Sequence, residues 1–178
     1  MKKYDAAIIG GGMSGMVAAI LLADHGKSVC ILERQERLGK KILLTGNGKC
    51  NLTNKFVSNV DYICDDVDKL NKILGNVDYE KEMKFWGDLG LYLKEKNGYV
   101  YPVSNQAATV SDILKLALNK RNVDIYLDYM VSSIDKNDKG FAIKGKQDIL
   151  AENVYLCCGG MAGGYKEAMN NGYGPAKK

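Results

Sequence analysis

The sequence has few of the residues and patterns that identify several common kinds of functional site. Its 178 residues include one histidine, His25, and no run near the roughly eighteen consecutive apolar residues typical of a membrane-spanning helix. Five cysteines are present, without a CxxC pair or a regular spacing. We therefore expect no membrane span, no metal site and no disulfide framework. An odd count of this kind favours reduced thiols in a cytoplasmic protein.

The charge balance is also modest. Twenty-five basic and 21 acidic residues give a net charge of +4, and they are spread along the chain. Nucleic-acid-binding proteins usually carry a basic stripe or patch, so the composition predicts no nucleic-acid partner. Hydrophobic residues make up 46% and charged residues 26%, the usual mixture of a globular domain with a hydrophobic core.

The first 33 residues predict a strand–helix–strand unit. Residues 4–10 (YDAAIIG) form a short apolar run ending in glycine, as in a strand buried on both faces. Residues 14–25 carry apolar side chains at helical spacing, and Gly26 follows as a typical helix-terminating residue. Residues 28–33 (SVCILE) predict a second buried strand. This order indicates a βαβ unit with a right-handed crossover.

The rest of the chain predicts further helices and then a strand-rich end. Asn97-Gly98 is the residue pair favoured in tight hairpins, and Trp86 is expected to pack into the core. In chain order we expect helices at 65–75, 79–90 and 105–119, a hairpin around 91–103, a strand at 123–128, a hairpin within 131–145, and a last strand before the glycine pair at 159–160.

Gly10, Gly12 and Gly15 form the pattern G-x-G-x-x-G between the first predicted strand and helix. In this context the first glycine permits a tight turn, the second lets the backbone approach a pyrophosphate, and the third lets helix and strand pack closely. The helix N-terminus adds N–H groups and a partial positive charge. Glu33 ends the second strand and can accept hydrogen bonds from ribose hydroxyls, and its charge disfavours the 2′-phosphate of NADP. The pattern favours the binding of a dinucleotide, NAD or FAD. The less favoured interpretation is a glycine turn that only lets the helix pack on the strand.

Residues 45–51 (TGNGKCN) allow several interpretations. A zinc site lacks a second ligand, and a reactive thiol lacks a base, because His25 is predicted at the far end of the first helix. A surface turn is reasonable because Asn-Gly is common in turns. Glycines, amides and lysines at 39–41 and 52–54 flank the run, and together they could instead line a pocket for a large anionic ligand.

Four stretches, in this order and at these separations, carry a resemblance to a known family: GGGMSG, LERQERLGKKILLTGNGKCNLTN, YVYPVSNQA and VYLCCGG. They resemble the HI0933-like or BaiN-like NAD(P)/FAD-dependent oxidoreductases, bacterial and archaeal flavoproteins that include relatives of aminoacetone oxidase. The resemblance covers essentially all 178 residues, and residues 39–54 are its most specific part. It implies an α/β fold, with residues 1–178 forming a single Rossmann-type FAD-binding domain of a central parallel sheet, helices and a β-meander.

Longer members of that family have an inserted substrate domain and a returning C-terminal FAD segment, so we expect this chain to be an N-terminal portion that stops before the substrate domain. The resemblance implies a flavin-dependent oxidoreductase that takes hydride from reduced nicotinamide, NAD(P)H, and acts on an unknown small organic substrate. Two alternatives remain at this point. The chain could be an NAD-binding module without flavin, or an incomplete chain with no activity of its own. The oligomeric state is open.

The resemblance also implies contacts to each part of FAD. Glu33 would hold the adenosine ribose, and Val131 would meet adenine through its backbone. Lys41 and residues 45–51 would pass along the ribityl and flavin side. No side chain is assigned as a catalytic acid or base. The full set implied to bind the cofactor is Gly10, Gly12, Met13, Ser14, Gly15, Glu33, Arg34, Lys41, Thr45, Gly46, Asn47, Gly48, Cys50, Asn51, Val131, Gly159 and Gly160.

Two positions depart from the family pattern. Lys49 stands where the family usually has arginine, and lysine cannot make the same forked contact. Cys157 and Cys158 stand where the family usually has Ala-Thr, so a hydroxyl hydrogen bond is lost. Both departures affect details of the expected cofactor site.

Overall fold

A computed structural model describes residues 1–159 of the protein. In chain order its strands are β1 (Lys2–Ile9), β2 (Val29–Leu32), β3 (Thr53–Asn54), β4 (Leu93–Lys96), β5 (Tyr99–Pro102), β6 (Asp124–Tyr126), β7 (Ser133–Asn137), β8 (Gly140–Lys144) and β9 (Ile149–Leu156). The helices are α1 (Met13–Asp24), α2 (Val67–Asn76), α3 (Tyr79–Asp88) and α4 (Ala107–Lys120). Short 3₁₀ turns occupy Ile42–Gly48 and Asn59–Asp61.

The chain divides into two compact units. Among the described residues, unit 1 comprises Met1–Ile42 and residues 114–159, and unit 2 comprises Leu43–Ile113. Helix α4 crosses this boundary. The assignment of all 178 residues to one domain stays a prediction.

Unit 1 contains a six-stranded sheet in the order β6-β2-β1-β9-β8-β7. Strands β6, β2, β1 and β9 are parallel, whereas β8 and β7 continue the sheet in antiparallel pairs. All four residues of β2 are buried, as expected for a strand covered on both faces. The predicted α/β class, with a parallel sheet and a β-meander, is confirmed.

Helix α1 connects the first two strands of the parallel sheet. Met16 and Ile20 are fully buried on its inner side, and the helix ends at Asp24 with Gly26 in a left-handed conformation, φ 72°. Arg121 ties the end of α4 to the end of α1 through two hydrogen bonds to the Asp24 carboxylate, of 2.6 and 2.9 Å. The predicted helix at 14–25 is therefore confirmed to within one residue at each end.

Unit 2 contains a three-stranded antiparallel sheet in the order β3-β5-β4. The predicted hairpin turn is present, with Asn97 and Gly98 at φ 53° and 85°. Trp86 of α3 is buried, and its ring packs edge-to-face on Phe85 at a centroid distance of 5.1 Å. Helix α2 lies where the sequence predicts it and buries none of its residues.

Two strand predictions differ from the structure. The strand expected at 123–128 is only Asp124–Tyr126, because its flanking residues leave the ladder with β2. The short β3 is not predicted at all, since a strand of two residues is too short to show an alternation of apolar and polar side chains. It exists because Thr53 and Asn54 pair with Val100 and Tyr99.

Candidate cofactor site

In the glycine loop between β1 and α1, close contacts at Gly10 and Gly15 leave no room for side chains. Gly10 has φ 107°, and a Cβ built there would lie 2.5 Å from the carbonyl oxygen of Cys157. A Cβ on Gly15 would overlap the carbonyl oxygen of Gly10, so α1 packs directly against the loop. A Cβ on Gly12, in contrast, would meet nothing within 4 Å. The loop therefore presents open backbone at Gly12, as a ligand that approaches closely would require.

The N-terminus of α1 has the character of an anion site. The helix begins at Met13 with Gly12 as its N-cap, and no side chain caps it. The first-turn N–H groups have no acceptor within a helix, and the helix dipole is positive at this end. Ser14 is exposed in this first turn. The arrangement can bind phosphate oxygens.

Glu33 is held at the end of β2 by two backbone donors. Its Oε2 accepts a hydrogen bond of 2.6 Å from the N–H of Gly11, and its Oε1 accepts one of 2.8 Å from the N–H of Gln35. A carboxylate offers about four lone-pair sites, so each oxygen can accept a further hydrogen bond. The carboxylate is thus fixed in place and still able to bind a pair of ribose hydroxyls.

The chain after β2 folds back onto the glycine loop. The N–H of Gly39 donates to the carbonyl of Gly11 at 2.9 Å, and the buried Leu38 fills the space beside Gly11. Lys41 brings its ammonium within 3.5 Å of where a Cβ on Gly159 would lie. The positive charge of Lys41 therefore lies beside the chain that follows β9.

Most of the predicted residues of unit 1 thus meet at the carboxyl ends of β1, β2 and β9, where parallel α/β sheets bind their ligands. These are Gly10, Gly12, Met13, Ser14, Gly15, Glu33, Arg34, Lys41 and Gly159. Gly11, which joins Glu33 to Gly39, is not among the predicted residues. The sequence signal that could have indicated it is the run Gly10-Gly11-Gly12, in which Gly11 occupies a position that the motif leaves open to any residue.

The loop at 45–51 belongs to unit 2. Its backbone is left-handed at Gly46, Asn47, Gly48 and Cys50, with φ between 54° and 80°. Cys50 is buried at 1% exposure, and this burial raises the pKa of its thiol despite a hydrogen bond with the Thr45 side chain. Cys50 is therefore a packed residue in this structure. The placement of Thr45, Gly46, Asn47, Gly48, Cys50 and Asn51 along a cofactor stays a prediction.

Val131 and Gly160 complete the predicted set. Val131 lies two residues before β7, not at the start of that strand, and it is partly buried against the cluster that contains Tyr129 and Ile143. Its contact with adenine stays a prediction. Gly160 lies outside the described residues.

The paired cysteines follow the end of β9. The N–H of Cys157 donates to the carbonyl of Ile9 at 2.8 Å, which extends the pairing with β1, and both thiols are half-buried. Burial raises the pKa of each. Across residues 1–159 no three side chains of His, Cys, Asp or Glu are grouped to hold a metal ion, and no helix is long and apolar enough to cross a membrane.

Comparison with known proteins identifies the family. The model of the HI0933-like protein Rossmann domain matches residues 4–178. The chain belongs to this family. The predicted resemblance is therefore confirmed, and the glycine loop and Glu33 of this HI0933-like chain lie within the matched region.

Two curated relatives and one solved structure illustrate the similarity. A 3-dehydro-bile acid delta(4,6)-reductase from Clostridium scindens is 41% identical over 173 residues, which are 96% of this chain and 42% of the relative. A ribosomal RNA dihydrouridine synthase from Escherichia coli is 26% identical over 163 residues, 91% of this chain and 41% of the relative. The HI0933-like chain thus spans about two fifths of the length of these relatives.

The solved structure of 3-ketosteroid-delta4-(5alpha)-dehydrogenase from Rhodococcus jostii RHA1 shares the fold. It superposes with a TM-score of 0.69 at 17% identity, covering 93% of this chain and 47% of the dehydrogenase. At that identity the likeness concerns the fold alone.

Proposed function

We propose that this chain is the FAD-binding part of a flavin-dependent oxidoreductase. The observation that carries the proposal is the glycine loop, which is open at Gly12 and closed by packing at Gly10 and Gly15, with Glu33 fixed beside it. Phosphate oxygens would bind the N-terminus of α1, and ribose hydroxyls would bind Glu33. Membership of the HI0933-like family supports FAD as the dinucleotide.

The remaining predicted residues extend this assignment. Lys41 lies on the same side of unit 1 as the glycine loop and would neutralise a phosphate. Residues 45–51 would line the ribityl and flavin side, and the backbone near Val131 would face adenine. FAD supplies the redox chemistry when bound, whereas the residues of this chain bind and orient it.

For the whole protein we propose reduction of a carbon–carbon double bond conjugated to a carbonyl group. Both curated relatives carry names that describe the reduction of such a bond, one in a 3-dehydro bile acid and the other in a uridine base. Reduced nicotinamide is the proposed hydride donor to the flavin. The alternative, an NAD-binding module without flavin, is consistent with the same glycine loop and has to be separated by experiment.

Titration of the purified chain with FAD and, in parallel, with NAD⁺ tests the proposal. We expect FAD to bind at least about tenfold more tightly, since residues 45–51 would add contacts that NAD lacks; each tenfold step is about 1.4 kcal/mol. Gly12→Ala should weaken FAD binding because its methyl group would occupy the open backbone. Gly75→Ala is the matched control, because a Cβ there also meets nothing within 4 Å.

Two results would overturn the FAD assignment: binding of NAD⁺ alone, or equal FAD affinity of the Gly12→Ala and unaltered chains. The reaction class has its own readout. Anaerobic mixing of the reduced, FAD-loaded protein with a 3-keto-4-ene steroid or with uridine should restore the absorbance of oxidised flavin, and a saturated ketone should not.

A further inference from the structure

The outer face of the three-stranded sheet in unit 2 carries tyrosines and lysines side by side. In the β4–β5 hairpin, Lys96 lies directly opposite Tyr99, and Lys94 lies opposite Tyr101. Residues directly opposite one another share a face of a sheet. The intervening Val100 and Pro102 are buried, so they mark the inner face, and the tyrosines and lysines lie on the outer one.

The same face continues beyond the strands. The N–H of Val103 donates to the carbonyl of Tyr92 at 2.9 Å, so the pairing of β4 with β5 extends by one residue pair. Tyr92 therefore lies on the same face as Lys94 and Lys96, two and four residues later. Tyr92 is 83% exposed and Tyr99 46% exposed. Together, Tyr92, Lys94, Lys96, Tyr99 and Tyr101 define what we call the tyrosine–lysine face.

Two further side chains adjoin this face. Asn54 of β3 lies opposite Tyr99, and its Oδ1 accepts a hydrogen bond of 2.9 Å from the N–H of Phe56. Phe56 is 71% exposed, and its ring lies against Gly98 at the hairpin turn. Asn54 therefore adds amide N–H donors and Phe56 adds a third strongly exposed aromatic ring.

The charged residues of the face itself are Lys94 and Lys96. Glu95 lies opposite Val100 and is exposed, and its Oε1 accepts a hydrogen bond of 2.5 Å from the N–H of Gly98. The other carboxylates of unit 2 lie within residues 61–88 and at Asp112. The five residues that define the face thus include two lysines and no carboxylate.

We propose that the tyrosine–lysine face binds single-stranded RNA. Exposed aromatic rings offer stacking surfaces for unpaired bases, and interleaved lysines meet the phosphates between them. The amide of Asn54 can donate to a 2′-hydroxyl, which RNA has and DNA lacks. The charge distribution along the sequence does not indicate this surface, because Tyr92, Lys94 and Tyr99 lie on one face only through the register of the hairpin.

Binding of a labelled uridine oligomer of about ten nucleotides, followed by fluorescence anisotropy at low salt, tests this assignment. Tyr92→Ala and Tyr99→Ala should each weaken binding by roughly five- to a hundredfold, the range for loss of one base stack. Tyr62→Ala is the matched control, since Tyr62 is also 46% exposed and lies outside the face. Tyr92 is 83% exposed, so removal of its side chain should leave the folding of the hairpin largely unchanged and separates binding from folding.

The lysines have a separate readout. Replacing Lys94 and Lys96 together by glutamine should lower the slope of log affinity against log salt by roughly 1.4, about 0.7 for each phosphate contact. The exposed pair Lys69 and Lys72 on α2, replaced in the same way, should leave that slope unchanged.

Unchanged affinity in both tyrosine variants, or no binding by the unaltered chain, would overturn the proposal. Equal affinity for the deoxy oligomer of the same sequence would overturn the choice of RNA. The inference does not rest on the proposed redox function. Gly12→Ala should weaken FAD binding and leave RNA binding unchanged, so failure of one proposal is distinguishable from failure of the other.

Discussion

The backbone N–H of Gly11 donates a hydrogen bond of 2.6 Å to Oε2 of Glu33, across 22 positions of sequence. The second carboxylate oxygen of Glu33 accepts from Gln35, so one side chain holds the glycine loop and the chain after β2 together. The acid expected to bind ribose is thus also a structural element of the loop.

Replacement of Glu33 by glutamine should therefore destabilise the fold before any ligand is considered. The amide keeps one acceptor oxygen and places a donor against the other backbone N–H, which costs roughly 1–3 kcal/mol. Denaturant unfolding of the ligand-free chain measures this cost. Glu36→Gln, at a neighbouring exposed position, should stay within about 0.5 kcal/mol, and an equal loss in both variants would argue against the structural role.

Gly15→Ala should destabilise the chain, because the added methyl group would overlap the carbonyl of Gly10 and force α1 away from the loop. A clash of this kind costs about 1–3 kcal/mol. Gly87→Ala in α3 is the control, since its Cβ meets nothing within 4 Å and alanine favours a helix by roughly 0.5–1 kcal/mol. Thermal unfolding should move in opposite directions for the two variants, and equal shifts would contradict the packing argument.

The cysteines should differ sharply in reactivity. Cys64 is exposed, whereas Cys30 is fully buried and burial raises the pKa of its thiol to about 12. Because the thiolate is the reactive form, a raised pKa keeps Cys30 and Cys50 protonated and slow near neutral pH. Labelling with a disulfide reagent should show one fast thiol that Cys64→Ser removes. A fast phase that survives this substitution would contradict the assignment.

The contacts of Lys2 and Tyr4 in β1 with Asp124 in β6 should make the free energy of unfolding depend on pH in the acid range. The Tyr4 hydroxyl donates to Asp124 and the Lys2 ammonium lies 3.1 Å from the same carboxylate, and the Tyr4 hydrogen bond is the main cause of the lowered pKa of Asp124. A depressed folded-state pKa stabilises the fold above the unfolded value, about 3.9, and this contribution is lost as the pH falls through the folded pKa.

Asp124→Asn should therefore flatten the decline in stability between about pH 5 and pH 2. The effect should be under about 1 kcal/mol, since the Asp124 side chain is 46% exposed and solvent screens the interaction. Free energies of unfolding across this range provide the measurement. Asp65→Asn, in the exposed chain before α2, is the control, and an identical decline in both variants would exclude Asp124 as the cause.

The features that the sequence predicted are those set by local rules. The strand–helix–strand unit follows from hydrophobic period and from the glycine that ends α1, and the roles of Gly10, Gly12 and Gly15 follow from the space that each position needs. Membership of the family follows from the same motifs and their separations.

The features that escaped prediction depend on pairing between distant segments. The Gly11–Glu33 and Gly11–Gly39 hydrogen bonds exist only once β2 lies beside β1 and the following chain turns back. The two-residue β3 is defined by its partner β5, and the tyrosine–lysine face is defined by the register of the hairpin. Periodicity within a single segment contains no information on such contacts.

The glycine loop is held in its conformation by packing and hydrogen bonds within the chain. Gly10 and Gly15 are packed, Gly11 is bonded at both its N–H and its carbonyl, and only Gly12 faces open space. A dinucleotide that binds there would find the backbone already ordered, so little conformational entropy would be lost on association. The affinity of this site would then be determined by the contacts that a ligand adds, and hardly by the cost of arranging the loop to receive it.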